Sequence, residues 1–338
     1  MTVREIAKTL QVAPSTVSLV LNGKPGVKKE KREKIAALLR ESGYTIKDTA
    51  TPAPGNQEIK FIRYLAANHS RERSEDFFAG ILSGAEMKAH ALGYNFSFHS
   101  VAPEQFSSLL TSMERQPNLT GAILLACELT KDKLAALQSF SKPIVTLDMP
   151  AELDMCPVNG INTDNRGGIY MAVKTLYDLG HRSIGFLKGA TDIGGFTARF
   201  RAYLDAMNLL GLPVTEEHIL TIDARYEVAI RQMEGFIRTR SSLPTAFVAA
   251  NDIIAAGCVR ALCLRGYSVP GDISVIGFDN GNMSTFITPP LTTMGINRTR
   301  MGELAVERIV SLAQNPDDVI VKSILSVSLI ERESVRGL

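Results

Sequence analysis

The chain has 338 residues, with 37 Lys and Arg against 35 Asp and Glu, and 45% of its residues are apolar. This length favours two or three domains with substantial cores. No apolar stretch approaches the ~18–20 residues of a membrane span, and the chain opens without an apolar signal segment, so we expect a cytoplasmic protein without a membrane partner. The cysteines form no CxxC pair and the five histidines are scattered, which argues against a metal site.

The first 48 residues have the pattern of three short helices. Thr2 and Glu5 match a capping box, with a hydroxyl at the helix start and a glutamate three residues later. Pro14 suits the first turn of a second helix over 14–22, because its missing N–H costs nothing there. A third helix ends near Gly43. This arrangement predicts a helix-turn-helix unit, and an ordinary helical cap on a larger domain is the alternative.

The second helix carries small polar residues on one side. Ser15, Ser18, Leu19 and Asn22 share a face that is free of charge, while the opposite face is apolar and needs a packing partner. The surrounding segment is basic, since residues 1–48 hold 10 basic and 5 acidic side chains, against 27 and 30 in the rest of the chain. A basic headpiece on a mildly acidic body is typical of proteins that bind nucleic-acid phosphates.

A linker follows the headpiece. The stretch TIKDTATPAPGNQ contains two prolines and a glycine, which exclude a long helix. We therefore divide the chain into a headpiece over 1–48, a linker or hinge over 49–57 and a core over 58–338.

The core alternates between apolar runs and amphipathic stretches, which is typical of parallel sheets covered by helices on both faces. Two such series predict two α/β lobes. The predicted strands cover 59–66, 94–101, 121–128, 143–150, 182–189, 218–223, 245–252 and 273–280, and long helices are predicted over 75–91, 166–179, 198–210, 226–239 and 253–265.

Three of these strands end in carboxylate or amide side chains: Asp148, Asn251-Asp252 and Asp279-Asn280. Ligands of parallel α/β lobes bind at the carboxyl ends of the strands, and a ring of acceptors there suits a polyhydroxylated molecule. Each of these residues could instead cap the following turn or helix. Their number favours a ligand cleft.

The sequence resembles the lactose-repressor (LacI/GalR) family of bacterial transcription regulators over nearly its whole length. The resemblance implies a three-helix DNA-binding headpiece and a two-lobed core like that of a periplasmic binding protein. The motifs that carry it are VREIAKTLQVAPSTVSLVLNGKPGVKKEKREKIAALLRESGY, NTDNRGG, LGHRSIGFLKG, TARFRAYLDAM, AANDIIAAGCVRAL, GYSVPGDISVIGFDN and PPLTTMGIN.

The same resemblance implies lobes built from separate segments. Lobe 1 is expected over approximately 58–160 and 290–320, and lobe 2 over 161–289 and 321–338. The implied partners are a palindromic double-stranded operator, a second copy of the chain and a small effector, without a cofactor.

Residues 14–22 correspond to the family's recognition helix. Pro14, Ser15 and Leu19 fall at base-reading positions, while Thr16, Ser18 and Asn22 fall at or near phosphate contacts. The predicted DNA-binding set also includes Lys24 and Lys28. Many relatives have an arginine or histidine where this chain has Leu19, and leucine packs on a thymine methyl but cannot donate to guanine. We therefore expect an A·T pair opposite Leu19.

The linker departs from the family. Ala50-Thr51-Pro52-Ala53 stands where relatives carry a hinge-helix leucine that wedges into the minor groove, so we expect weaker central bending of the DNA. Whether Pro52 and Pro54 permit a hinge helix is left open by the sequence.

The effector residues implied by resemblance are Phe77, Asp148, Arg199, Asn251 and Asp279. Arginine's planar fork suits neighbouring hydroxyls or a carboxylate, whereas the paired phenylalanines of EDFFAG could equally belong to the core. Ile193 and Ala224 stand where purine-binding relatives have polar or aromatic contacts, which favours a sugar over a purine. Asp164 and His181 are interpreted as structural.

Three classes of function are compatible with a chain of this kind: a DNA-binding regulator, a binding protein and an enzyme. A DNA-binding regulator, in the form of a repressor modulated by a sugar, accounts for the headpiece and the core together. A non-catalytic sugar-binding protein explains only the core, and a regulator that senses a purine or another metabolite is a further alternative. An enzyme is disfavoured, because no GxGxxG or Walker loop and no catalytic constellation is present. Whether the effector releases or promotes DNA binding, and whether the assembly is a dimer or a tetramer, stays open.

Overall fold

The computed structural model describes residues 1–21, 27, 29–44, 55–65, 75–153, 155–191, 193–240 and 242–338. Contacts divide the chain into two units. The first contains Met1–Gln57 and Leu92–Tyr94, and the second contains Glu58–Ala91 and Asn95–Leu338.

The described residues of the first unit form three helices: α1 (Val3–Thr9), α2 (Pro14–Leu21) and α3 (Lys29–Glu41). The capping box at the start of α1 is confirmed. The Thr2 hydroxyl accepts from the Glu5 N–H at 3.3 Å, and the Glu5 carboxylate accepts from the Thr2 N–H at 2.7 Å. Buried apolar residues from all three helices form a small core: Ile6, Ala7, Val17, Val20, Ile35 and Leu39.

The second unit contains strands β1 to β12. They are β1 (Glu58–Tyr64), β2 (Asn95–Val101), β3 (Leu119–Leu125), β4 (Ile144–Leu147), β5 (Asn159–Thr163), β6 (Ile184–Gly189), β7 (Ile219–Ile222), β8 (Ala246–Ala249), β9 (Ser274–Asp279), β10 (Thr292–Gly295), β11 (Lys322–Leu325) and β12 (Ser328–Ile330).

The helices of the second unit lie between these strands in the chain. They are α4 (Glu75–Ala91), α5 (Pro103–Glu114), α6 (Leu134–Ser139), α7 (Asn165–Asp178), α8 (Gly194–Leu209), α9 (Tyr226–Thr239), α10 (Asp252–Leu264), α11 (Met283–Phe286) and α12 (Arg298–Gln314), with short 3-10 turns at Lys131–Lys133, Ala151–Leu153 and Glu216–His218.

Two six-stranded sheets define the two lobes. The first has the order β11-β5-β4-β3-β1-β2 and is parallel throughout, and the second has the order β12-β10-β9-β8-β6-β7 with only β12 antiparallel. The parallel α/β architecture predicted from the sequence is confirmed. Strands such as β3 and β8 are buried along their whole length, as expected for parallel sheets that helices cover on both faces.

The lobe boundaries differ from those expected. β5 extends lobe 1 to residue 163, β10 pairs with β9 in the second sheet although 290–320 was assigned to lobe 1, and β11 pairs with β5 in the first sheet although 321–338 was assigned to lobe 2. The chain therefore passes between the sheets after β5, after β10 and between β11 and β12. These strands are short and contain Asn, Gly, Thr or exposed residues, so they lack the apolar pattern that identified the others.

Lobe 1 brings two helices unusually close. A Cβ on Gly84 of α4 would lie 2.1 Å from the Thr299 carbonyl oxygen, and one on Gly302 of α12 would lie 2.1 Å from the Ile81 carbonyl oxygen. Glycine at both positions lets the backbones of α4 and α12 touch. This contact fixes the start of α4 against the start of α12, and both starts border the cavity described below.

Candidate DNA-binding and effector sites

Helix α2 presents the predicted recognition residues on its outer side. Val17 and Val20 are buried in the headpiece core, which leaves Pro14, Ser15 and Ser18 exposed and Thr16 and Leu19 half-buried. The exposed face thus carries small polar groups beside one leucine. Backbone and hydroxyl groups of this kind position a helix on phosphates, while an apolar side chain can contact a base methyl.

Part of the predicted DNA-binding set lies outside the described residues. This applies to Asn22, Lys24 and Lys28, and to residues 49–54 of the linker. The DNA contacts predicted for these residues therefore rest on the sequence alone.

A cavity of about 450 Å³ opens between the lobes at the carboxyl ends of the second sheet. Its volume lies within the usual range for small-molecule sites. Lobe 1 contributes the first turns of α4 and α12, and lobe 2 contributes the ends of β8 and β9 and the start of α9. The lining includes Asp76, Phe77, Tyr226, Glu227, Asn251, Asp252, Asp279, Gly281, Met283 and Arg298.

Asp279 ends β9 with a backbone φ of 106°, a conformation that an L-residue rarely adopts, and the next residue, Asn280, has a φ of 53°. Oδ1 of Asp279 lies 2.9 Å from Nη1 of Arg199, with which the carboxylate forms a buried ion pair. Burial raises the pKa of Asp279, while the Arg199 charge opposes that shift. The strained turn therefore presents an acceptor at the cavity.

Arg199 stands behind Asp279 and does not itself line the cavity. Its guanidinium donates to the Asn165 side-chain oxygen at 2.8 Å and to the Ala250 carbonyl at 2.6 Å, and it lies 3.8 Å from the centre of the Phe278 ring. With only 5% of its surface exposed, the arginine is held on all sides. In this structure it orients Asp279.

Asp252 also lines the cavity, and the sequence named it at a strand end without including it among the effector residues. It is buried, with its Oδ1 2.5 Å from the Thr293 hydroxyl oxygen and its Oδ2 accepting from the Gly281 N–H at 2.7 Å. Burial raises its pKa to about 8, and the neighbouring Asp279 carboxylate adds to that shift. Its position directly after Asn251 in AAND was the available signal, although a helix-start aspartate is usually explained by the helix dipole.

Asn251 and Phe77 both border the cavity, as the sequence predicted, but they come from different lobes. The Asn251 side-chain oxygen accepts from the Ile254 N–H at 3.0 Å and caps α10, so its oxygen is engaged locally. Phe77 is half-buried on the first turn of α4, whereas its neighbour Phe78 is buried.

Asp148 is close enough for its charge to act on Asp279, but it does not line the same cavity. Its carboxylate accepts from the Thr163 N–H at 2.7 Å and lies 3.1 Å from the Thr163 hydroxyl, and it borders a different cavity of about 320 Å³ together with Gly194 and Gly195. The residue has a φ of 46°, and burial raises its pKa. The structure does not bring Asp148 to the cavity that Asn251 and Asp279 line.

The structural interpretations of Asp164 and His181 are confirmed. Asp164 caps α7 by accepting from the Gly167 N–H at 2.8 Å. His181 is buried between the Thr245 hydroxyl at 2.9 Å and the Arg336 carbonyl at 3.0 Å, and burial lowers its pKa. It ties the C-terminal segment to lobe 2.

Within the described ranges, no three His, Cys, Asp or Glu side chains are grouped so that they could hold a metal ion. In the same ranges, no helix combines the length and apolar character needed to cross a membrane.

Comparison with known proteins assigns both units. Residues 2–47 match the model of bacterial regulatory proteins of the lacI family, and residues 173–335 match that of a periplasmic binding protein-like domain. The ribose operon repressor of Haemophilus influenzae is 28% identical, and the HTH-type transcriptional repressor PurR of the same species is 26% identical. Both alignments cover 100% of this chain and 99% of the relative.

Solved structures agree in fold. A lac repressor dimer bound to operator and the anti-inducer ONPF superposes with a TM-score of 0.71 at 24% identity, covering 100% of this chain and 99% of the other. The helix-turn-helix match, the core-domain match and the full-length alignments to repressors lead to one assignment. The chain belongs to the lacI family of bacterial regulatory proteins.

Proposed function

We propose that this protein is a cytoplasmic transcriptional repressor that binds a palindromic operator as a homodimer and responds to a sugar bound between its lobes. The coarser function, a ligand-modulated DNA-binding regulator, follows from the family. The names of its relatives describe repressors and not enzymes.

The observation that carries the ligand assignment is the Asp279 carboxylate at the cavity. Its Oδ1 is paired with Nη1 of Arg199 at 2.9 Å, while 18% of the side chain stays exposed at the cavity, so the carboxylate can accept hydrogen bonds from the hydroxyls of a sugar. Phe77 and Tyr226, from opposite lobes, offer apolar ring faces of the kind that pack on a sugar ring. A neutral polyol can also donate hydrogen bonds to the acidic side chains that line the cavity, and it brings no further charge into a buried site.

The proposed mechanism is a shift between open and closed lobes. A ligand that contacts Phe77 on lobe 1 and Asp279 on lobe 2 at the same time binds the closed arrangement more tightly and so increases its population. In a dimer this shift changes how well two headpieces match half-sites that lie ~34 Å apart on DNA. A coupling of ~1–3 kcal/mol is sufficient for regulation in either direction.

Two measurements test the proposal. First, duplex binding at low salt is compared between the full chain and residues 58–338, and equal affinity for every fragment contradicts a DNA-binding headpiece. Second, thermal shift is measured with monosaccharides, disaccharides, sugar phosphates and purines, on the wild type and on Asp279→Asn. We expect a sugar to stabilise the wild type and to lose most of its effect on the variant. Stabilisation by a purine alone contradicts the sugar assignment and favours a purine-responsive regulator.

A further inference from the structure

The two lobes are joined at the edge of the effector cavity by a bidentate contact. Asp76, in the first turn of α4 in lobe 1, accepts at Oδ2 from the Asn282 N–H at 3.1 Å and at Oδ1 from the Asn282 side-chain amide at 2.9 Å. Asn282 belongs to lobe 2, immediately after the turn that carries Asp279. Both carboxylate oxygens of one residue thus serve one residue of the opposite lobe, and we name this contact the interlobe bridge.

Arg298 reinforces the same junction. The Arg298 side chain packs against Gly80 of α4, where a Cβ added to the glycine would lie 3.0 Å from the Cβ of Arg298. The absence of a side chain at Gly80 therefore lets Arg298 lie along α4. Its two terminal nitrogens donate to the Asp76 carbonyl at 3.2 Å and to the Asn280 carbonyl at 3.0 Å. One guanidinium at the start of α12 therefore holds a backbone group from each lobe.

The turn between Asp279 and Asn282 needs such support because its backbone is unfavourable. Positive φ angles at Asp279 and Asn280 cost conformational energy that other contacts must offset. Within lobe 2, Asp252 accepts from the Gly281 N–H and Arg332 donates to the Asn280 side-chain oxygen at 2.7 Å. From lobe 1, the interlobe bridge fixes the remaining end of the turn.

We infer that Asp76 and Asn282 act as a positioning pair, which holds the lobes together at the cavity edge and thereby fixes the turn that presents Asp279. The inference rests on the proposed function in one respect: it takes the cavity as the effector site. It predicts that effector affinity depends on the pairing of these two side chains, apart from any contact that they make with the effector.

The chain offers a reciprocal exchange as a test. Asn282→Asp sets a carboxylate against the Asp76 carboxylate, so the bridge should open. In the double variant Asp76→Asn with Asn282→Asp, the new amide at 76 accepts from the N–H of residue 282 and donates to its carboxylate, so the bridge should re-form. Asp76→Asn alone should be mild, because the Asn282 amide can rotate by 180° to pair with it. Asn208→Asp places the same added charge at an exposed position of α8 and serves as the control.

The decisive readout is amide hydrogen exchange of peptides covering residues 279–286 in the full-length chain, without ligand. Asn282→Asp should accelerate exchange there by about tenfold, the double variant should return it to within about twofold of wild type, and Asn208→Asp should leave it unchanged. Unchanged exchange in Asn282→Asp, or failure of the double variant to restore protection while its thermal midpoint equals that of wild type, overturns the inference.

A second readout separates this inference from the proposed ligand. Calorimetric titration with D-ribose should show affinity about tenfold weaker for Asn282→Asp and restored by the double variant. A wild type that binds neither D-ribose nor any other sugar contradicts the proposed ligand class, while the exchange result still decides whether the bridge fixes the turn. Sugar binding that is equal in all variants overturns the positioning role.

Discussion

Arg199 and Asp279 form a buried ion pair in which 2.9 Å separate Nη1 from Oδ1, with the guanidinium stacked on Phe278. Asp279 lines the cavity and Arg199 does not. The aspartate can therefore contact an effector, while the arginine holds the aspartate in position. Because the arginine also donates to Asn165 and Ala250, its removal leaves several buried acceptors unsatisfied.

Arg199→Ala should therefore lower the free energy of unfolding by about 3–5 kcal/mol, as expected when one partner of a buried pair is removed. Asp279→Asn keeps an acceptor at the same place and should cost clearly less. Urea unfolding of both variants measures the difference. Arg201→Ala, which removes an exposed pair with Glu152, is the control and should cost less than about 1 kcal/mol. Equal losses for Arg199→Ala and Arg201→Ala would argue against a supporting role for Arg199.

Asp252 should make the stability of the core fall as the pH rises. Its pKa is about 8 in the folded protein against 3.8 for an ordinary aspartate, so between these values the folded state binds more protons than the unfolded state. The stabilising contribution of the protonated group is full at low pH and is lost as the pH rises through about 8. The thermal midpoint of the wild type should therefore decrease between pH 6 and pH 9.

Asp252→Asn should flatten this dependence. The amide imitates a protonated carboxyl, since it can donate to the Thr293 hydroxyl and accept from the Gly281 N–H. We expect the variant to match the wild type near pH 6 and to exceed its thermal midpoint at pH 9. A parallel decline in both proteins would show that Asp252 is ionised across this range.

The sequence was sufficient for those features that depend on a periodic apolar pattern. The eight predicted strands and five long helices are all present, because apolar runs mark the strands and amphipathic patterns mark the helices. β5 and β10 escaped prediction because Asn, Gly and Thr interrupt any apolar pattern although most of their side chains are buried, and β11 and β12 escaped it because they are short and largely exposed. Strand ends identified Asn251 and Asp279 as cavity residues.

What could not be predicted are contacts between segments far apart in the chain. Asp76 and Asn282 are separated by 206 positions, and neither belongs to a pattern that names its partner. Asp148 shows the converse limit. Its place after an apolar strand suggested the effector site, but the Thr163 N–H and hydroxyl stand close enough to bind its carboxylate first. Position at a strand end indicates the right edge of a sheet without specifying what each side chain contacts.

Gly84 should tolerate no larger residue. Gly84→Ala would force a Cβ to within 2.1 Å of the Thr299 carbonyl oxygen, so α4 and α12 must separate. We expect a loss of about 1–3 kcal/mol or more, as for other overpacked cores. Gly235→Ala in α9 is the matched control, because nothing lies within 4 Å of its added Cβ and alanine favours helix. Thermal unfolding should show destabilisation by the first change and slight stabilisation by the second. The same sign for both would mean that the helices do not meet at Gly84.

Leu19→Arg should change which base the headpiece prefers. Leu19 lies half-buried on the outer side of α2, where its methyl groups suit a thymine methyl, and an arginine at that position can donate to guanine O6 and N7. Selection from a randomised duplex pool should yield A·T at one position of each half-site with the wild type and G·C with the variant, with discrimination of ~1–3 kcal/mol. Thr16→Ala, at a predicted phosphate contact, should weaken binding to all sequences without altering that preference. If both variants select the wild-type base, Leu19 does not read the operator and the orientation proposed for α2 is wrong.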